Sequence, residues 1–187
     1  MRAVQQDGWG GREQLSVRDD VPRPAPGVGC VLVKVQAVSI HAGDHHMLTG
    51  RPYLIRLAGR HQTPGMDFAG EVVESNDDAA DAAVLGEARA EKTGDVQGER
   101  RRRLKPGDKV FGTADIALGA FAEYVSVPAG NVALKPENVS WEAAASLPTS
   151  GMTALQALRI GGELRAGDRV LVNGGAGGGG SFSGQLA

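Results

Sequence analysis

The sequence predicts a β-rich unit that gives way to the opening of an α/β unit. Three observations carry this. The first ~135 residues break into short β-branched runs separated by Pro/Gly turn signals, the pattern of a small barrel or sandwich. From Ser140 the apolar period changes from that of strands to that of helices. The final stretch, "VLVNGGAGGGGSFSGQLA" (170–187), passes from an apolar run through a dense glycine turn into a helix start.

The bulk properties bound the function classes. A chain of 187 residues holds one ordinary domain, or one domain and part of another. Its 41% hydrophobic and 22% charged residues are a globular composition with enough apolar material for a core. A net charge of −2 and 4% aromatic content offer neither a polyanion-binding surface nor a base-stacking platform, so no nucleic-acid partner is expected. The single cysteine, Cys30, excludes an internal disulfide and a multi-cysteine metal site. The N-terminus lacks the apolar core of a signal peptide, and no apolar run reaches the ~18 residues a membrane span needs. The expectation is a cytoplasmic protein with no membrane partner.

Taken in order, "RAVQQ" and "LSVRD" are short strand candidates, and "CVLVKVQAV" (30–38) is the clearest strand. Its Val31, Val33, Val35 and Ala37 fall on one face, with Lys34 and Gln36 on the other. "VPRPAPGVG" before it is a proline-rich loop, and "HAGDHHMLTG" (41–50) supports a helical turn or two closed by Gly50. "MDFAGEVVES" (66–75) is the next strand. Residues 76–103 then mix acids and bases with few large apolar side chains. Such a segment cannot bury enough surface to offset its ordering entropy and is expected to be a disordered insertion. Its arginines, Arg100 to Arg103, suit a solvated loop end better than a phosphate contact. Pro106-Gly107 supplies a type II turn, "DKVFG" and "GAFAEYVSVP" supply strands, and "NVALKP" follows.

Ser140 caps the helix start "WEAAASL". "TSGMTALQALRIGG" repeats the theme, with Met152, Leu155 and Leu158 at helical spacing and Gly161-Gly162 as the stop. "AGDRVLVNG" then reads as a turn and a buried strand.

Two constellations permit chemistry. Gly174, Gly177 and Gly180 recur every three residues between an apolar run and a helix start. There, backbone amides can reach a phosphate with no Cβ in the way, although a ligand-free glycine tail fits the same residues. His41, Asp44, His45 and His46 are metal-compatible, and His41 and His45 would share a helical face. With no further ligand cluster elsewhere, ordinary polar residues at a loop-to-helix transition explain them better, and no metal is expected. No nucleophile motif of the G-x-S-x-G kind is present.

Several segments coincide, in order, with one family. "VPRPAPGVGCVLVKVQAVSIHAGD", "PGMDFAGEVVE", "LKPGDKVFG", "GAFAEYVSVP", "WEAAASLPTSGMTALQAL" and "AGDRVLVNGGAGGGG" resemble the zinc-free medium-chain dehydrogenases/reductases, the quinone oxidoreductase-like group. The resemblance implies a GroES-like β-barrel over 1–139, linker helices over 140–168, and the first strand and helix start of a dinucleotide-binding Rossmann unit over 169–187. It implies hydride transfer from NAD(P)H to a quinone or α,β-unsaturated carbonyl without zinc. Zinc-containing relatives place a cysteine where this chain has His41, and a ligand histidine where it has Met66. By matching position, Thr153 would lie near the nicotinamide, Gly174, Gly177, Gly178 and Gly180 would surround the pyrophosphate, and His41 and Tyr53 would line the acceptor pocket.

Only the first strand and about two helical turns of that Rossmann unit are present, and Gly179 and Gly184 stand where relatives carry aliphatic residues, each costing about 1 kcal/mol of helix. The expectation is therefore that this chain alone does not turn over NAD(P)H. The alternative is a catalytically silent barrel that acts, if at all, through association with itself or another chain.

Overall fold

The computed structural model describes residues 1–58, 63–76, 103–160, 162 and 164–187. The two N-terminal strand candidates form a hairpin of their own. β1 (Ala3–Gln6) and β2 (Leu15–Arg18) pair antiparallel, with Ala3 opposite Arg18 and Gln6 opposite Leu15. The clearest strand signal, β3 (Cys30–Val38), lies inside a five-stranded sheet with β4 (Asp67–Ser75), β5 (Lys109–Thr113), β6 (Tyr124–Pro128) and β7 (Val132–Leu134). The spatial order is β6-β3-β4-β5-β7 and every pairing is antiparallel.

The alternation expected in β3 holds from Lys34 onward. Ahead of it Val31, Leu32 and Val33 are all fully buried, because a register shift against β4 between Leu32 and Val33 turns consecutive side chains inward. One face of the sheet carries the main core: Val33, Phe68, Val72, Val110 and Val125 pack together, with Leu104 from the turn before β5. That turn is anchored on β4. The Val72 N–H donates to the Asp108 carbonyl at 2.9 Å, and the Gly107 N–H donates to the Val72 carbonyl at 2.8 Å, with Gly107 at φ +90° as the type II reading requires. The opposite face is covered at Ala69 by the short helix α2 (Trp141–Ala145) through Ala144 and Ala145. As expected, Ser140 starts α2, its hydroxyl accepting from the Ala143 N–H at 3.1 Å.

The expected barrel does not close. β6 and β7, the two edges of the sheet, are joined only by Ala129–Asn131, so the sheet must roll until its edges lie within ~14 Å, the reach of four extended residues. No ladder pairs them, and β7 is three residues long. The β1–β2 hairpin meets the sheet through a single bridge, Ala3 with Ala122, in place of a ladder. Along this open seam runs an apolar groove of about 500 Å³ that includes Val17, Val38, Ile40 and Phe121. The structure is thus a mixed β/α fold of two open sheets and helices.

The helix expected from Met152, Leu155 and Leu158 forms as α3 (Pro148–Ile160), but that stripe is not its buried face. Met152 is 47% exposed, while the buried residues are Pro148 and Ala154, because only that side of the helix meets the sheet. Residues 169–173 do not form a strand: Leu171 is 94% exposed and no described segment pairs with it, and a parallel strand exists only through its neighbours' hydrogen bonds. The helix after the glycines does form, as α4 (Gly178–Leu186). The 76–103 insertion, apart from Asn76 and Arg103, lies outside the described residues.

What holds α3 to the sheet is Asp67, 1% exposed at the start of β4. Its carboxylate accepts from the Thr149 hydroxyl at 2.7 Å and from the Thr149 N–H at 2.9 Å. Thr149→Val keeps the shape and the N–H but leaves one carboxylate oxygen unpaired in a buried setting. It is expected to cost about 2 kcal/mol, read as a lowered urea midpoint with an unchanged slope.

Candidate functional site

The helix read from "HAGDHHMLTG" is α1 (Ala42–Thr49), and His41 is its N-cap rather than a member of its face. The His41 Nδ1 accepts from the Gly43 N–H at 3.0 Å, and the Asp44 carboxylate accepts from the His41 N–H at 2.9 Å, a reciprocal capping box. His41 therefore does not stack above His45 at a metal-binding spacing, since His45 points to solvent while Asp44 is buried. Among the described residues no group of three or more His, Cys, Asp or Glu side chains is placed to hold a metal ion.

The cap has a chemical consequence. With Nδ1 used as an acceptor, a neutral His41 carries its proton on Nε2. Nε2 is buried and has no hydrogen-bond partner, and the same holds for Asp44 Oδ1. The neighbourhood is dry on one side, with the Met66 Sδ packed around Gly43 beside the His41 ring. Burial pushes the Asp44 carboxyl above the usual carboxylate range, and the nearby Asp67 charge pushes it the same way, against the pull of the His41 amide and imidazole.

From Asp67 a line of hydrogen bonds runs into α3. Thr149 is bound to Asp67, and the Thr153 hydroxyl donates to the Thr149 carbonyl at 2.6 Å. The next residue, Ser150, meets α4, since a Cβ built on Gly178 would lie 2.6 Å from its Oγ. His41, Asp44, Asp67, Thr149, Thr153, Ser150 and Gly178 thus lie along one line from the start of α1, past the start of the central strand β4, to the glycine turn.

In that turn Gly174 sits at φ +72°, and its carbonyl accepts from the Gly177 N–H at 2.9 Å. A Cβ on Gly180 would overlap the Gly174 carbonyl, whereas one on Gly179 would meet nothing. Gly177 is the N-cap of α4, so the amides of Gly178, Gly179 and Gly180 have no intrahelical acceptors. Amides exposed at a helix start, approachable because no side chain covers them, suit a phosphate group.

Of the residues singled out in the sequence, Tyr53 lies apart from this line. It is exposed in a 3₁₀ turn (Tyr53–Ala58), where the Arg56 guanidinium sits 4.9 Å from its ring centre. Asp67 and Thr149 were not singled out as site residues. Their only signals are an acid within the apolar run "MDFAGEVV" and a threonine following Pro148 at a helix start.

Comparison with known proteins identifies the family. The family model for the alcohol dehydrogenase GroES-like domain matches residues 27–137. The quinone oxidoreductase of Lama guanicoe is 30% identical over the whole chain, which corresponds to 49% of that protein. The solved quinone oxidoreductase from Coxiella burnetii superposes with a TM-score of 0.79 at 33% identity, covering 100% of this chain and 52% of that one. A mycobacterial protein, Rv1454c, solved as a complex with NADPH, superposes with a TM-score of 0.74 at 29% identity, covering 99% of this chain and 49% of that one. The chain spans about half the length of the curated relatives it matches.

Two outcomes test the geometry. Gly180→Ala is expected to undock α4 from its turn, while Gly179→Ala, in open space, is expected to stabilise the helix by about 1 kcal/mol; far-UV circular dichroism and amide exchange in α4 separate the two. For Asp44, a folded-state carboxyl raised above its ordinary 3.8 loses stability as pH rises through that value. Asp44→Asn keeps the cap acceptor and removes the titration. The stability of the parent relative to this variant is expected to fall as pH rises from the ordinary carboxyl value of 3.8 upward; a flat difference in urea melts contradicts the raised carboxyl.

Proposed function

Because the chain belongs to the alcohol dehydrogenase GroES-like domain family, we propose that it serves NAD(P)H-dependent hydride transfer, without a metal, to a quinone or an α,β-unsaturated carbonyl. The single observation that carries this is the glycine turn. Gly174 makes the bend, Gly177 leaves the approach open, and Gly180 lets the helix close on the bend, so the free amides of α4 face a pyrophosphate. The cofactor, when bound, supplies the hydride. Thr153, joined to Asp67 through Thr149, would lie near the nicotinamide in this reading. The Nε2–H of His41 is an unspent donor in a buried setting, suited to the acceptor oxygen as it gains negative charge. Met66 in place of a ligand histidine gives a neutral thioether at the position where relatives hold zinc, which is the ground for the metal-free reading.

Titration with NADPH, followed by nicotinamide fluorescence, tests the reading. Weak saturable enhancement that is lost in Gly177→Val is expected; no enhancement with the parent overturns it. Consumption of NADPH with a simple quinone is expected to stay at the buffer rate for these 187 residues on their own, because the 169–173 segment before the turn pairs with no described strand. The exposed Leu171 and Ile160 favour a second reading, a silent domain that associates with another chain. In the same samples that reading gives a larger species on size exclusion and unchanged fluorescence.

A further inference from the structure

Beside the C-terminal turn of α1 lies a basin of about 480 Å³ formed by Trp9, His45, His46, Thr49, Arg51 and Arg56. Its size is that of a small-molecule site. In a chain of net charge −2 it gathers, among the described residues, two guanidinium groups, two imidazoles, a hydroxyl and an indole, and no carboxylate. We propose that this basin is an anion-selective subsite for a planar acceptor that carries a carboxylate, sulfonate or phosphate group.

Arg56 is pre-placed for the task. Its Nε donates to the Gly50 carbonyl at 3.2 Å, and its guanidinium lies 5.8 Å from the Trp9 ring centre and 4.9 Å from that of Tyr53. One bond and two rings fix the plane of the fork, so little further freedom is lost when its remaining N–H groups bind an anion. Among the described residues neither Arg51 nor Arg56 has an ion-pair partner. Glu13, whose carboxylate lies against Gly10 at the basin's wall, is occupied: its own backbone N–H and that of Gly11, the latter at 2.7 Å, hold the carboxyl below the usual range.

One effect opposes an anion here. The basin adjoins the C-terminal turn of α1, whose dipole presents about half a negative charge. Two full positive charges outweigh it. Arg56, bonded to Gly50, also serves that helix end, but Arg51 has no such contact and is left for a ligand. The indole of Trp9 supplies an apolar face for a ring. The basin also gives Tyr53 a place in the site through Arg56, away from His41. That the ligand is a hydride acceptor rests on the function proposed above; the anion selectivity does not.

The test is titration of the chain with anthraquinone-2-sulfonate and, in parallel, with the uncharged 2-(hydroxymethyl)anthraquinone, followed by the Trp9 indole and Arg56 Nε–H resonances. The sulfonate is expected to give saturable shifts at these groups, bound about tenfold more tightly than the alcohol. Its affinity is expected to fall with added salt and to drop by a similar factor in Arg51→Gln and Arg56→Gln. Arg51→Gln touches no described hydrogen bond, so it remains informative if Arg56→Gln unfolds the turn. Equal binding of the two probes, indifference to Arg51→Gln, or shifts centred on the Gly174–Gly180 turn overturn the proposal. NADPH is absent from this titration, so a failure here is distinct from a failure at the glycine turn.

Discussion

The carboxylate of Asp67 is the group on which the arrangement turns. A charge this deep survives only if its oxygens are met by donors, and Thr149 meets both, one with its hydroxyl and one with its backbone N–H. The same residue pairs with Thr113 of β5, and its carbonyl accepts from the Ser39 N–H where the chain leaves β3. Asp67 therefore fixes three segments against one another: the exit toward α1, the sheet, and the first turn of α3. Without those two donors the charge would have to be neutralised or exposed, and either change would release α3 from the sheet.

The cost of that hub appears one residue cluster away. Asp44 is buried within reach of the Asp67 charge and is pushed toward its protonated form, while His41 keeps a donor with no partner. Two carboxylates in one dry region are seldom both ionised. The molecule resolves this by spending its good donors on Asp67 and leaving Asp44 with the weaker set. The unspent polar capacity then lies at the head of α1, beside Met66, where an acceptor oxygen can use it.

Much of the fold was legible because its determinants are local. The alternation from Lys34 to Val38, the Ser140 cap, the stop at Gly162 and the turn at Gly107 each depend on a few adjacent residues, and each stands as read. What was misread depends on partners distant in the chain. Whether β6 and β7 close a barrel is decided by edge hydrogen bonds that no local pattern encodes. The apolar run before Gly174 announces a strand only if a neighbour supplies the ladder. The same division holds at the site. The glycines could be placed by spacing, but the Asp67–Thr149 pair, 82 residues apart, could not. His41 was singled out for its chemistry, and only the cap geometry shows which nitrogen is free.

The glycine turn and α4 also say something about the order in which the molecule can assemble. Every contact that shapes the turn, from Gly174 to Gly177 and Gly180, spans six residues or fewer. Loops of that length close in well under a microsecond, with no need of the sheet. β3 is in the opposite position. It must find β6 across about half of the chain, with Lys34 beside Tyr124 and Cys30 beside Pro128, and such long closures are the slow events in folding. The glycine turn can thus close independently of the sheet. It can be shaped before its surroundings exist, even beside residues 169–173, which form no strand.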